Sequence, residues 1–206
     1  MKLNIGCGHN KLPVTEGWLN LDCSPEVLPE CLFDLGTIEL GEKLPFSDDS
    51  FSELYMSHVL EHLPHPLPIM EEFWRVAAPG AKLQIHVPYG SSDIAFEDPT
   101  HYRQYFMNSF MYFGQPAYAR ADYGYRGDWQ ETLRVLVLAN ELDRKAIAQL
   151  GPAGVSSLVK AERNIVEEFI VTLIAVKPIR PAGSPADKVS ITFAWPEQVR
   201  RPGAAT

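Results

Sequence analysis

Cysteine is too scarce in this chain to hold it together. Three are present, Cys7, Cys23 and Cys31, an odd number with no Cys-x-x-Cys spacing. That excludes a disulfide framework and fits reduced thiols in a cytoplasmic protein. Long apolar runs are also missing: no stretch approaches the roughly 20 residues needed to cross a bilayer, and no signal-peptide pattern opens the sequence. Basic charge is in short supply. Lys and Arg number 18 against 26 Asp and Glu, a net charge of -8. This argues against bulk attraction to nucleic acid, while leaving room for a local basic patch. No internal repeat or low-complexity tract occurs. What remains is an ordinary composition of 206 residues, 46% hydrophobic and 21% charged, which suits a globular domain with a full core.

One glycine is also missing where a nucleotide-binding reading would want it. Leu3-Asn4-Ile5-Gly6-Cys7-Gly8, followed by Leu19-Asn20-Leu21-Asp22, reads as a strand, a glycine turn and a second strand ending in an acid. Gly6 and Gly8 lack a Cβ, so a ligand can approach the backbone closely. Asp22 is placed to accept hydrogen bonds from a ribose diol. The dinucleotide pattern G-x-G-x-x-G needs a third glycine, and that position is Lys11. Pro13 and Gly17 break up the segment where a pyrophosphate-facing helix would begin. The site therefore suits a ligand with a ribose and no phosphates, of which S-adenosylmethionine (SAM) is the common one. A G-x-G pair by itself reads equally well as a tight turn.

The rest of the first half alternates strands and helices. Cys31 to Leu35 and Ser52 to Leu60 read as strands, Ile69 to Ala78 has helical spacing, Pro79-Gly80 stops it, and Lys82 to Val87 is a fifth strand. This rhythm predicts an α/β, Rossmann-like, mostly parallel sheet with helices on both faces. Gly6, Asp22, Asp34, His58 and Pro88 fall at the carboxyl ends of its strands. Gly90 to Tyr125, rich in aromatics and turn formers, reads as an insertion that closes over a substrate. Beyond it, Glu131 to Ala139 and Phe169 to Val176 read as strands, Leu142 to Leu150 and Val155 to Val166 as helices, and Val189 to Phe193 as an extra strand. The expected organisation is a domain over 1–180, with the insertion at about 90–125, and a C-terminal extension over 181–206.

These pieces, in order, resemble the class I SAM-dependent methyltransferases of the small methyltransferase-domain type. The resemblance rests on Asn4-Ile5-Gly6-Cys7-Gly8, Gly17-Trp18-Leu19-Asn20-Leu21-Asp22, Asp34-Leu35, Leu44-Pro45-Phe46, Ser57-His58-Val59-Leu60-Glu61-His62-Leu63 and Ala78-Pro79-Gly80-Ala81-Lys82-Leu83. It covers roughly the first ninety residues. Asp98 to Phe106 resembles a segment after the fifth strand in a bacterial and phage subset. The resemblance implies SAM as cofactor. The Gly6-Cys7-Gly8 turn would pass under its methionine part, Asp22 would hold the ribose hydroxyls, and Asp34 and Leu35 would meet the adenine. Ser57 and His58 would line the methyl-donor end. Asn4, where many members carry an acid, and Asn10, often glycine, depart from the pattern. So does the start of the chain at the first strand, without a preceding helical segment to cover the cofactor, so that 90–125 or a partner subunit would have to cap it.

Methyl transfer from a sulfonium needs alignment and dryness more than acid–base chemistry, and a base only if the acceptor must lose a proton. His58 and His101 are the candidates. His58-Val59-Leu60-Glu61-His62 also spells H-x-x-E-H, a zinc-peptidase signature. His58 sits at a strand end, and Pro64, Pro66 and Pro68 prevent the long helix such a site needs, so no metal is expected. Arg200-Arg201 reads as a solvated tail. The expected activity is methyl transfer to a small molecule, sugar or other biosynthetic intermediate. A nucleic-acid methyltransferase and a non-catalytic SAM-binding assembly subunit remain the alternatives. No membrane partner is expected, and a homodimer is left open.

Overall fold

The computed structural model describes residues 1–119 and 123–203. Residues 120–122 of the expected insertion and 204–206 of the expected extension lie outside the described residues. The strands are β1 (Lys2–Ile5), β2 (Trp18–Asp22), β3 (Cys31–Leu32), β4 (Phe51–Ser57), β5 (Ala77–Pro88), β6 (Trp129–Leu138), β7 (Val166–Ala175) and β8 (Ser190–Ala194). They form one sheet of eight in the order β3-β2-β1-β4-β5-β7-β6-β8. Only β7 runs antiparallel to its two neighbours. The mostly parallel α/β sheet expected from the sequence is present.

The chain steps outward from β1 to β2 and β3, then returns to place β4 on the other side of β1. Strand order therefore reverses between β1 and β4. In open parallel sheets a crevice for ligands opens there, beyond the carboxyl ends of the strands.

The connections between strands differ in helical content, for reasons visible in the sequence. Helix α1 (Pro66–Val76) buries Ile69, Met70, Phe73 and Val76, a stripe at helical spacing. Its Pro66 stands in the first turn, where a missing N–H costs nothing. Each of those side chains contributes about 1.5–3 kcal/mol by leaving water. Between β1 and β2, by contrast, Pro13 and Gly17 allow only a short turn at Val14–Glu16. A small second cluster, Leu12, Trp18 and Tyr55, packs there.

The link from β5 to β6 contains α2 (Ile94–Glu97) and two short helical turns. Tyr105, Phe110, Phe113, Tyr118 and Tyr125 pack inward, while Phe96, Tyr102, Phe106, Tyr112 and Tyr123 stay exposed. Tyr105 stacks on Phe110 at 5.2 Å, and Phe110 meets Phe169 of β7 at 5.7 Å. Helix α3 (Arg144–Ala161) joins β6 to β7 and is kinked at Gly151, with Pro152 after it. Its two limbs lie where two helices were expected, but the second ends at Ala161 and the expected end, Val166, already belongs to β7. After β8 the chain returns across the sheet. Arg201 reaches β7 and β4, and Gly203 lies against Leu12.

Candidate functional site

The residues at the reversal point build two cavities that meet at Gly6. One, of about 380 Å³, is lined by Gly6, Gly8, Asp22, Asp34, Leu35 and His58, with Leu21, Cys23, Phe33, Val59, His62 and Leu63. The other, of about 340 Å³, holds Cys7 and Ser57 with Asn4, Asn10, Lys11, Tyr55 and Arg201. The first is largely apolar and the second more polar. Both fall in the usual range for small-ligand sites, about 300–1,000 Å³. A larger cavity of about 560 Å³ opens between α1 and the aromatic link, lined by His65, Arg103, Tyr112, Tyr118 and Tyr123 among others. It contains none of the glycine-turn residues.

The glycine turn is braced from both sides. Asp22 Oδ2 accepts from the Gly8 N–H at 2.8 Å, and Oδ1 from the Ser24 N–H at 2.9 Å. Each oxygen keeps a lone pair for a further donor. Asp34 Oδ1 caps the next helical turn through the Gly36 N–H at 2.9 Å, which ends β3 at Leu32.

Asn4 has a reason to be neutral. It is buried, and its amide donates to Asn10 O at 3.1 Å and Asn20 Oδ1 at 2.8 Å. Asn20 in turn holds Leu12 and Glu30. Lys11 and Asn20 together hold the Glu30 carboxyl down to about 2. An acid at position 4 would face two acceptor oxygens. Asn4→Asp should therefore destabilise the protein by about 1–3 kcal/mol, read as a lowered urea midpoint; an unchanged midpoint would refute this account of the turn.

His58 leaves β4 in a left-handed conformation, φ 55°, so the strand expected to reach Leu60 stops at Ser57. Its Nε2 lies 3.1 Å from Glu168 Oε1, and its Nδ1 3.4 Å from Glu61 Oε1. The hydrogen bond to Glu168, aided by Glu61, pushes the imidazole up to about 9. Burial would raise the Glu168 carboxyl, but bonds from His58 and His86 and the Arg201 charge outweigh it and hold it well below the usual range. His86 is fully buried, and burial lowers its pKa. The pair therefore divides into a charged His58 and a neutral His86 at pH 7. Burial, with Asp22 nearby, pushes the Cys7 thiol up to about 11, so it is an inert thiol.

His101 does not line either cavity at Gly6. It is largely buried, with its ring 4.7 Å from that of His62 in an edge-on contact, and His62 lines the apolar cavity. His58 and His62 do not converge as the H-x-x-E-H reading would require, because the residues between them form a short turn at Leu60–His62 and not a long helix. Arg201 is no solvated tail: it donates to Glu168 Oε1 at 2.9 Å and to Ser57 Oγ at 3.3 Å. Sequence reasoning missed Glu168, set Glu61 and His62 aside with the H-x-x-E-H reading, and took Arg201 for a solvated tail. Glu168 lies 110 residues from His58, and Arg201 144 from Ser57, so no local spacing announces them. The one local signal was the H-x-x-E-H run itself, which set Glu61 and His62 beside His58.

Residues 3–85 match the family described as "Methyltransferase domain". Over that stretch, less than half of the chain, the sequence is similar to methyltransferase domains. The expected cofactor is SAM. Solved structures of the same fold include a SAM-dependent methyltransferase from Archaeoglobus fulgidus, 15% identical with TM-score 0.50, covering 84% of this chain and 85% of that one. Another, from Listeria monocytogenes and described as a putative S-adenosylmethionine-dependent methyltransferase, is 10% identical with TM-score 0.51, covering 85% and 90%. A third is the [4+2]-cyclase SpnF, 15% identical with TM-score 0.52, covering 85% and 75%. At such identities they share the fold alone, and the cyclase is a reminder that this fold carries more than one chemistry. No curated protein matches the sequence. Among the described residues, no helix is long and apolar enough to cross a membrane.

The two cavities fit the cofactor. Asp22 keeps lone pairs for a diol, Phe33 and Leu35 offer apolar surface to a purine, and the second cavity offers polar groups to an amino acid.

Proposed function

We propose that the protein transfers a methyl group from SAM to a small polar acceptor, such as a sugar or another biosynthetic intermediate. The observation that carries this is the convergence of Gly6, Asp22, Asp34, Leu35 and His58 on one cavity at the point where strand order reverses. In this reading the apolar cavity takes adenosine, with Asp22 on the ribose and Asp34 with Leu35 at the base. The Gly6-Cys7-Gly8 turn and Ser57 border the methionine part, and Arg201 meets its carboxylate. Bound there, SAM would supply an activated methyl group and leave as S-adenosylhomocysteine, while a hydroxyl acceptor would release its proton to water. The protein's share is alignment and exclusion of water. His58, protonated at neutral pH, serves as a fixed charge and not as the base. His101, behind His62, is the histidine of the acceptor side.

Calorimetry tests the cofactor. SAM and S-adenosylhomocysteine should bind, and NAD far more weakly. Tight NAD binding with no SAM binding would overturn the reading. Release of S-adenosylhomocysteine across a panel of hydroxylated acceptors tests the transfer. SAM binding without any turnover would favour a binding subunit, and gel-shift binding that weakens steeply with salt would favour a nucleic-acid acceptor. Arg201 offers a finer check. Arg201→Ala should weaken SAM by about ten-fold, the range of a partly exposed charged contact, and leave adenosine binding unchanged. Equal loss for both ligands, or none, would remove Arg201 from the carboxylate.

A further inference from the structure

We propose that Glu61, His62 and His101 form a site for a divalent transition-metal ion beside the cofactor cavity. One ligand atom from each lies within 4.8 Å of the others. Glu61 is only 1% exposed, and neither of its carboxylate oxygens receives a hydrogen bond. A buried carboxylate is costly unless paired and hydrogen-bonded. His58 supplies charge at 3.4 Å from Oε1 but no hydrogen bond, and this leaves the group half-compensated.

The two histidines are held in the same tautomer. Thr100 Oγ1 gives its proton to Asp98 Oδ1 at 2.6 Å, so at 2.9 Å from His62 Nδ1 it accepts. His101 Nδ1 lies 3.2 Å from the Ala95 carbonyl oxygen, which can only accept. Both rings therefore carry hydrogen on Nδ1 and a lone pair on Nε2. Metal-bound histidines are commonly fixed in this manner, by an outer acceptor on the other nitrogen. Asp98 Oδ2, 3.8 Å from His101 Nε2, adds a carboxylate at the rim. The segments are tied together by Tyr102 N–H to Glu61 O at 2.8 Å and Tyr105 O–H to Leu60 O at 3.4 Å. Edge-on packing of the two rings explains their contact but not the bare carboxylate beside them.

Two imidazoles and one carboxylate suit zinc, cobalt, manganese or iron better than magnesium or calcium, which prefer all-oxygen shells. Three protein ligands leave open positions. Since His62 lines the cofactor cavity, an oxygen of the acceptor could take one of them, with His101 a ligand and not a base. That last step, which narrows the acceptor to an oxygen donor, rests on the methyl-transfer reading.

The test uses the full chain, stripped by chelator and titrated with Co²⁺ by visible absorption and with Zn²⁺ by calorimetry. A single saturable site is expected, insensitive to excess Mg²⁺. Thr100→Ala, on the exposed loop, should weaken it by roughly ten-fold or more, the usual effect of losing an outer partner. Glu61→Gln and His101→Ala should each weaken it at least as much. If Glu61→Gln fails to fold, Thr100→Ala and His101→Ala carry the test. No saturable binding, or binding indifferent to these substitutions, would overturn the site and reduce the contact to packing. SAM calorimetry on the same samples separates the two readings. Metal binding without SAM binding sinks methyl transfer alone, and SAM binding without metal sinks the site alone.

Discussion

Replacing Asp22 with alanine should cut SAM affinity by roughly ten- to a hundred-fold while the protein stays folded. The magnitude follows from a charged hydrogen bond, about 1.5–3 kcal/mol, at about 1.4 kcal/mol per decade of affinity. Two effects act in one direction. The ribose loses its acceptor, and the Gly8 and Ser24 N–H groups lose the carboxylate that holds them at 2.8 and 2.9 Å. Asp22→Asn separates the effects. It keeps one acceptor oxygen but turns an amide NH₂ toward one of the two backbone donors, so the turn itself should loosen. If Asn behaves like Ala, bracing dominates; if Asn retains most of the affinity, the ribose contact needs only one oxygen. Calorimetry with SAM reads both. Unchanged affinity in a folded Asp22→Ala protein would mean that this carboxylate does not meet the cofactor.

The front of the sheet was legible because its signals are local. Gly6, Gly8 and Asp22 fall within one strand–turn–strand unit, and the apolar stripe of α1 repeats within one helix. Even there the ends moved for physical reasons. β3 stops at Leu32 because Asp34 turns back to cap Gly36, and β4 stops at Ser57 because His58 turns left-handed. β7 starts three residues before the expected Phe169, where Glu167 and Glu168 disguise a strand as a charged loop. The charged side of the site was hidden for a different reason. His58 with Glu61, Glu168 and Arg201 come from three places in the chain and share one cluster only after β7 is inserted beside β5 and the terminal segment folds back. Histidine in a sequence also does not declare its charge. It takes Glu168 to make His58 a cation, and burial to keep His86 neutral.

Gly6→Ala should damage both the fold and the site. Gly6 has φ 63°, where a Cβ costs about 1–2 kcal/mol. That Cβ would also meet Val59 Cγ2 at 2.3 Å, and overpacking of this kind costs about 1–3 kcal/mol. The sum is a loss of about 2–5 kcal/mol, a large part of a typical folding free energy, read as a drop in the urea midpoint at constant slope. SAM binding should fall with it, since the turn and Val59 both border the cofactor cavity. A second substitution tells the two costs apart. In the Gly6→Ala, Val59→Ala double variant the clash with the valine methyls is gone but the backbone strain stays, so Gly6→Ala should cost less in a Val59→Ala background than in the wild type. The coupling between the two sites should be favourable by about 1–3 kcal/mol, as for residues in direct contact. Additive effects would mean that the strand end relaxes away from Val59, and that the close approach at Gly6 does not define the site.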